Sequence, residues 1–215
     1  MDEIKALLLS EKPVKWLFYG DSITHGVIFT YGMRDYSQLF SERVRWELGR
    51  KTDIVLNTAV SGDTVRDLLD GFDWRVRQFR PDVVLLMIGI NDCSDTRDVT
   101  IEEFSDGLAR LAGMLKAIDA KTLVQTTSPV IAGAAPERAP RFDSYMERVR
   151  RVAAENGLPL VDHTAYWYAN EERRFTWMAN AFHPNGYGHR AFAHLLFREL
   201  DIFDPGSPTC RLFLP

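Results

Sequence analysis

Val14-Lys15-Trp16-Leu17-Phe18-Tyr19-Gly20-Asp21-Ser22-Ile23-Thr24-His25-Gly26 is the stretch on which the reading of this chain turns. Trp16 to Tyr19 is the kind of aromatic and aliphatic run that fills a buried strand. Gly20 allows a tight reversal, and Asp21 and Ser22 are turn formers whose side chains bond local backbone. A hydroxyl at the carboxyl end of a first strand stands where open α/β sheets hold their ligands. Read alone, Gly20-Asp21-Ser22 is equally well a plain turn. The neighbouring segments decide between the two.

Ahead of this strand, residues 2–11 read as a short helix or arm, and Val27 to Gly32 behind it is an apolar loop without a period. Asp35 with Gln38 has the spacing of a capping box before a helical stripe of Tyr36, Leu39, Phe40, Val44 and Leu48. Asp53 to Asn57 is a second strand. Ser61-Gly62-Asp63-Thr64 opens a helix with stripe Val65, Leu68, Leu69, Phe72, Val76 and Phe79, which Pro81 closes. Asp82 to Ile88 is continuously apolar, as expected of a strand buried on both faces, and runs into Gly89-Ile90-Asn91-Asp92. Thr100 with Glu103 is a second capping-box spacing, before Phe104, Leu108, Leu111, Leu115 and Ile118.

Lys121 to Thr127 is a fourth strand, and the Pro- and Ala-rich segment from Ser128 to Pro140 is expected to be a mobile loop. A helix carrying Phe142, Tyr145, Met146, Val149 and Val152 ends at Gly157, and Leu158 to Val161 is a short fifth strand. An aromatic-rich segment then leads to Asn180-Ala181-Phe182-His183-Pro184-Asn185 and a last helix over about 187–200. Strands alternating with helices predict an α/β fold, a parallel sheet with helices on both faces. A single domain over 1–215 is expected, with its core at about 14–200 and a tail from 201.

The 215 residues carry a formal net charge of -4, which gives no basic footprint for nucleic acid and no polybasic membrane patch. Two cysteines, Cys93 and Cys210, make no disulfide framework, and the run Ala6 to Leu9 is too short for a signal or a membrane span. A cytoplasmic protein is expected.

In such a sheet the loops after successive strands meet at one edge. Four carry polar turns: Ser22, Ser61-Gly62, Gly89 to Asp92, and His183 ahead of the last helix. A serine nucleophile needs a base and donors for the oxyanion. His183 supplies the base, and the Ser22 and Gly62 N–H groups with the Asn91 amide supply donors. On these residues the chain resembles an SGNH hydrolase of the GDSL esterase family. The four marks of that family match Ser22, Gly62, Asn91 and His183, in order, within a similarity spanning roughly 14–200. The resemblance implies a flavodoxin-like three-layer α/β/α sandwich with about five parallel strands. It also implies ester hydrolysis through an acyl-enzyme, with no metal or organic cofactor.

One position departs from the family. Its usual acid lies three residues before the histidine, where this chain has Asn180. An asparagine can orient an imidazole through its carbonyl oxygen but lacks the charge that stabilises imidazolium. Three readings follow: a Ser22–His183 dyad steadied by Asn180, an acid from elsewhere, for which Asp162 after the fifth strand is the nearest alternative, or a weakened site that only binds. Asp21 and Asp92 are expected to brace their turns. His25 reads as a pocket wall or a second base, and Cys93 as a packing residue. His189 and His194, five apart, are off one face for a metal. Phe29, Tyr31, Trp167 and Trp177 are expected in the core, the alternative being that at least one of them faces the pocket as a platform for a sugar. The expected substrate is a small ester such as an O-acetylated sugar, since no amphipathic lid is visible. The apolar tail, ending Leu212-Phe213-Leu214-Pro215, suggests a homo-oligomer contact.

Overall fold

A computed structural model describes residues 1–131 and 133–215. Five strands, β1 (Lys15–Gly20), β2 (Ile54–Asn57), β3 (Val83–Met87), β4 (Lys121–Gln125) and β5 (Leu160–Val161), form one parallel sheet in the order β2-β1-β3-β4-β5. This is the flavodoxin-like order, whose direction reverses between β1 and β3. The two strands are in register to their ends, Gly20 beside Met87. A Cβ at residue 20 would run into the Met87 carbonyl oxygen, so only glycine lets the strands close there. β1 and β3 are buried throughout, apart from Lys15, which explains their unbroken apolar sequence.

Helices cover both faces. The chain forms α1 (Asp2–Leu9), α2 (Ser22–His25), α3 (Tyr36–Ser41), α4 (Val65–Asp70), α5 (Phe72–Arg75) and α6 (Ile101–Ala117). It continues with α7 (Ala139–Glu155), α8 (His163–Ala169), α9 (Glu171–Arg174) and α10 (Gly186–Glu199). α4, α6 and α7 pack together on one side, and α3, α8 and α10 on the other. The second side holds an aromatic core in which Phe18 meets Tyr36 and Phe40 edge-on, and Trp167 meets both Phe192 and Trp177. Trp167 and Trp177 are fully buried, as expected, whereas Tyr31, expected with them, lies 70% exposed on the loop after α2.

Several elements depart from expectation. The helix anticipated over 65–79 breaks at Gly71 into α4, α5 and a 3₁₀ turn, Arg77–Phe79. Gly71 is a weak helix former, and a side chain there would press on Arg75. Even so, Val65, Leu68, Phe72 and Val76 all reach the core. The Asp35–Gln38 capping box forms in full, and α3 then widens into a π-helical turn, Glu42–Glu47. At Thr100 only half the box forms, because the Glu103 carboxylate pairs with Arg66 instead of returning to the cap. α8 and α9 stand where no helix was read.

Within the loop expected to be mobile, residue 132 lies outside the described residues. The rest is tied down: Ile131 N–H donates to the Ala181 carbonyl at 2.7 Å, and Asp95 N–H to that of Glu137 at 2.8 Å. The tail is accounted for within the chain. Arg43 and Glu47, a buried pair on the π turn 3.1 Å apart, hold it from beneath. Arg43 donates to the Ser207 hydroxyl at 2.6 Å, while Glu47 accepts from Thr209 N–H at 2.8 Å. Trp177 Nε1 donates to the Pro215 carbonyl at 2.9 Å. The tail thus docks on its own core, and oligomerisation through it finds no support. Among the described residues no helix is long and apolar enough to cross a membrane.

Candidate active site

The turn that carries Ser22 is built by local bonds. Asp21 caps α2, its Oδ1 accepting from Ile23 N–H at 2.9 Å, and this makes Ser22 the first helical residue. Gly26 closes α2 in the left-handed region at φ 72°, with its Cα against Asp35. Across the sheet edge, Asn180 starts a tight turn in which its Oδ1 accepts from Phe182 N–H at 3.1 Å and His183 N–H at 2.9 Å. Asn185 then caps α10, accepting from Tyr187 and Gly188 N–H. Between these anchors the His183 ring is brought to Ser22, with Oγ and Nε2 2.9 Å apart.

The other ring nitrogen of His183, Nδ1, lies 3.2 Å from Asn180 Oδ1 and 3.1 Å from its Nδ2. The two backbone donors on Oδ1 decide how the amide is turned, because the alternative would aim an NH₂ at two N–H groups. Oδ1 is therefore the acceptor available to an Nδ1–H, and that tautomer turns the Nε2 lone pair to the serine. His183 is buried, and its ring stacks on Phe29 with centroids 3.7 Å apart and planes at 14°. Burial first, and then the nearby Arg138 charge, push the imidazole down to about 4.

Gly62 and Asn91 sit on the two neighbouring loops. Val60 N–H donates to the Gly20 carbonyl at 3.1 Å, which carries the chain after β2 alongside the serine turn. Gly62 has φ 91°, a conformation that suits glycine. Asn91 is buried, and its Nδ2 donates to the Asp63 carbonyl at 2.9 Å, fixing the amide and leaving its second hydrogen. Neither the Ser22 nor the Gly62 N–H has an acceptor among the described residues. Two main-chain donors and one amide hydrogen are thus unspent at this edge, which suits a developing oxyanion.

The other candidates divide clearly. Asp21 and Asp92 are fully buried turn braces; Asp92 Oδ1 accepts from Val65 N–H at 2.7 Å and so ties the β3 loop to α4. Each leaves its Oδ2 unpartnered, and burial raises the two carboxyls to about 8 and about 7. Asp162 does not reach His183. It caps α8 and accepts from Arg150 at 2.7 Å and Thr126 at 2.8 Å. Burial works to raise its carboxyl, but these bonds outweigh it and hold the group below its ordinary value. His25 ends α2 with a buried, unpartnered Nδ1. Cys93 is an interior thiol that burial pushes up to about 12. His189 accepts from Tyr36 N–H, and His194 lies 3.0 Å from the Thr209 carbonyl. Sequence reading weighed Phe29 for the pocket without finding its partner, and missed both Phe182, whose ring centroid is 4.4 Å from that of the imidazole, and Arg138, 4.0 Å over Phe182. An aromatic beside the histidine and an apolar loop beside the serine were the available signals.

The family model of the GDSL-like lipase/acylhydrolase family matches residues 18–191, which include Ser22, Gly62, Asn91, Asn180 and His183. The chain belongs to that family. Among curated proteins, this GDSL-family chain is 30% identical over 207 residues to an acetylxylan esterase of Geobacillus stearothermophilus, covering 86% of this chain and 93% of that one. It is also 32% identical over 111 residues to an uncharacterized Mycoplasma pneumoniae protein, a match to 50% of this chain and 12% of that protein's length. Among solved structures, LAE5, an α/β hydrolase enzyme from the metagenome of Lake Arreo, Spain, superposes with TM-score 0.77 at 24% identity, over 90% of this chain and 99% of its own. Axe2, an acetylxylan esterase from Geobacillus stearothermophilus, superposes with TM-score 0.73 at 25% identity, over 93% and 97%. The protein is a carboxylic ester hydrolase of the GDSL/SGNH type.

Proposed function

We propose that this chain hydrolyses small esters, O-acetylated carbohydrate among them, through an acyl-enzyme on Ser22. The observation that carries the reading is the 2.9 Å contact between Ser22 Oγ and His183 Nε2. Oγ attacks the ester carbonyl and its proton passes to Nε2. The tetrahedral oxyanion is held by Ser22 N–H, Gly62 N–H and the free Asn91 amide hydrogen. Collapse expels the alcohol, which takes the proton from Nε2. Water then attacks the acyl carbonyl, gives its proton to the same nitrogen, and the acid leaves as the serine recovers that proton. Asn180 holds the ring through Nδ1–H. With its imidazole pushed down to about 4, His183 is neutral at pH 7 and ready to accept a proton.

The sugar ester is supported by the acetylxylan esterase relative. Solved Axe2 chains described as catalytic mutants replace a serine in one and a histidine in another. A weakened, binding-only form is the second reading, favoured by the absence of any carboxylate bonded to His183 among the described residues. Hydrolysis of p-nitrophenyl acetate and fluorophosphonate labelling, by the chain and by Ser22→Ala, separate the two. Turnover and labelling that both vanish in Ser22→Ala support the esterase. Absent turnover and labelling in the unaltered chain would leave only the binding form.

A further inference from the structure

The loop after the nucleophile helix is shaped around one side chain. Ile28 and Tyr31 both sit at positive φ, 49° and 51°, although neither is glycine. Phe29 N–H turns back to the Val27 carbonyl at 2.6 Å, and Met33 N–H to that of Thr30 at 3.0 Å. Ile28 and Tyr31 point outward, 76% and 70% exposed, while Phe29 between them turns inward onto His183. Left-handed backbone at non-glycine residues is unfavourable and persists where the surroundings demand it.

We propose that Phe29 is a positioning residue for this esterase: its ring, stacked on one side of the His183 imidazole with Phe182 tilted against another, holds Nε2 on Ser22 in place of the charge missing at Asn180. The inference rests on His183 being the base. Rotation about the last side-chain torsion of a histidine is soft, so an unsupported ring swings out of line. A carboxylate on Nδ1–H resists that swing through a strong, charge-assisted bond; a neutral amide oxygen at 3.2 Å resists it less. A phenyl plane within 14° of the imidazole, 3.7 Å away, blocks rotation directly. Phe182 lies at 42°, and is itself held under the Arg138 guanidinium, which bonds the Ile90 carbonyl at 3.2 Å. The face of Phe29 spent on the imidazole is not free to receive a sugar, which argues against the substrate-platform role.

The test is a double-mutant cycle on the full chain, reading kcat and KM for p-nitrophenyl acetate with Phe29→Leu, Asn180→Asp and their combination. Phe29→Leu is expected to lower kcat about ten-fold with KM nearly unchanged, the size of one lost aromatic contact. Phe29→Tyr, which keeps the plane, restores kcat. With Asn180→Asp beneath it, Phe29→Leu costs only about two-fold, because a carboxylate now orients the ring. Equal losses in both backgrounds, or no loss in either, overturn the clamp. If Phe29→Leu does not fold, Phe182→Leu removes the other ring and is read in the same two backgrounds. Fluorophosphonate labelling of the unaltered chain separates the failures. Labelled Ser22 with equal losses sinks the clamp alone, whereas no labelling sinks the proposed nucleophile and the clamp together.

Discussion

Replacing Asn180 with aspartate places a carboxylate where the amide oxygen now lies, 3.2 Å from His183 Nδ1. Residue 180 is exposed, so the effective dielectric falls between that of a protein surface and that of water. At a value of about 40, a carboxylate at this distance stabilises the imidazolium by about 2.6 kcal/mol, roughly 80-fold in kcat. In chymotrypsin the opposite exchange costs about 10⁴, partly because the amide there holds the wrong tautomer. Here Phe182 and His183 N–H already turn Oδ1 inward, so only the charge is gained and the smaller figure applies. The same interaction lifts the imidazole from about 4 towards 6, about two units. Asn180→Asp is therefore faster at pH 8, while its rate falls below pH 6; the unaltered chain holds its rate to about pH 4. Steady-state hydrolysis of p-nitrophenyl acetate from pH 4 to 8 reads both effects. A folded Asn180→Asp whose kcat at pH 8 is within two-fold of the unaltered chain refutes the reasoning, as does an acid limb that does not move.

Asn91→Ala removes one proposed oxyanion donor and the bond to the Asp63 carbonyl; kcat for the same ester should fall roughly 10²- to 10³-fold with KM little changed. Deleting residues 205–215 strips the Ser207 and Thr209 partners from the buried Arg43–Glu47 pair, and differential scanning calorimetry should show Tm lower by about 5–10 °C. Light scattering should give the same number of chains per particle before and after that deletion. Burial pushes His163 and His189 down to about 3, so between pH 6.5 and 3 the unfolded chain binds more protons and each costs up to about 1.4 kcal/mol of stability per pH unit. Asp21 and Asp92, raised to about 8 and about 7 by burial, act oppositely, their contribution being complete below about pH 4 and lost as pH climbs to 8. Urea unfolding should therefore find the four groups offsetting one another between about pH 4 and 6.5, with lower stability at pH 8; stability that rises from pH 6 to 8 would contradict this.

What could be read from the sequence was what local physics fixes. β1 and β3 announced themselves because strands covered on both faces are written as unbroken apolar runs. Ser22, Gly62, Asn91 and His183 stood out because each lies in a polar turn at one sheet edge and, taken together, they match the four marks of the family that the chain resembles. What escaped depends on residues distant in the chain. Whether Asp162 or Asn180 serves His183 turns on Arg150 and Thr126 having claimed Asp162. Phe29 meets the imidazole across most of the chain, and the apolar loop beside the serine signals an aromatic near the pocket without showing which ring it meets. The tail looked adhesive because the polar groups that receive it, Arg43 and Glu47, sit on a π turn hidden in an ordinary helical pattern. The break at Gly71 left the stripe intact, so periodicity alone could not detect it.

The close fit of Gly20 against the Met87 carbonyl also says where this enzyme can vary. Because the serine turn hangs from a seam made of main chain alone, its place is inherited from the sheet and not from any side chain around the mouth. Exposed positions on the loop after α2, such as Ile28 and Tyr31, can then be rewritten for a new alcohol or acyl group while Ser22 keeps its coordinates. Residue 20, by contrast, admits no side chain, so evolution at the mouth is free only as long as this joint stays bare.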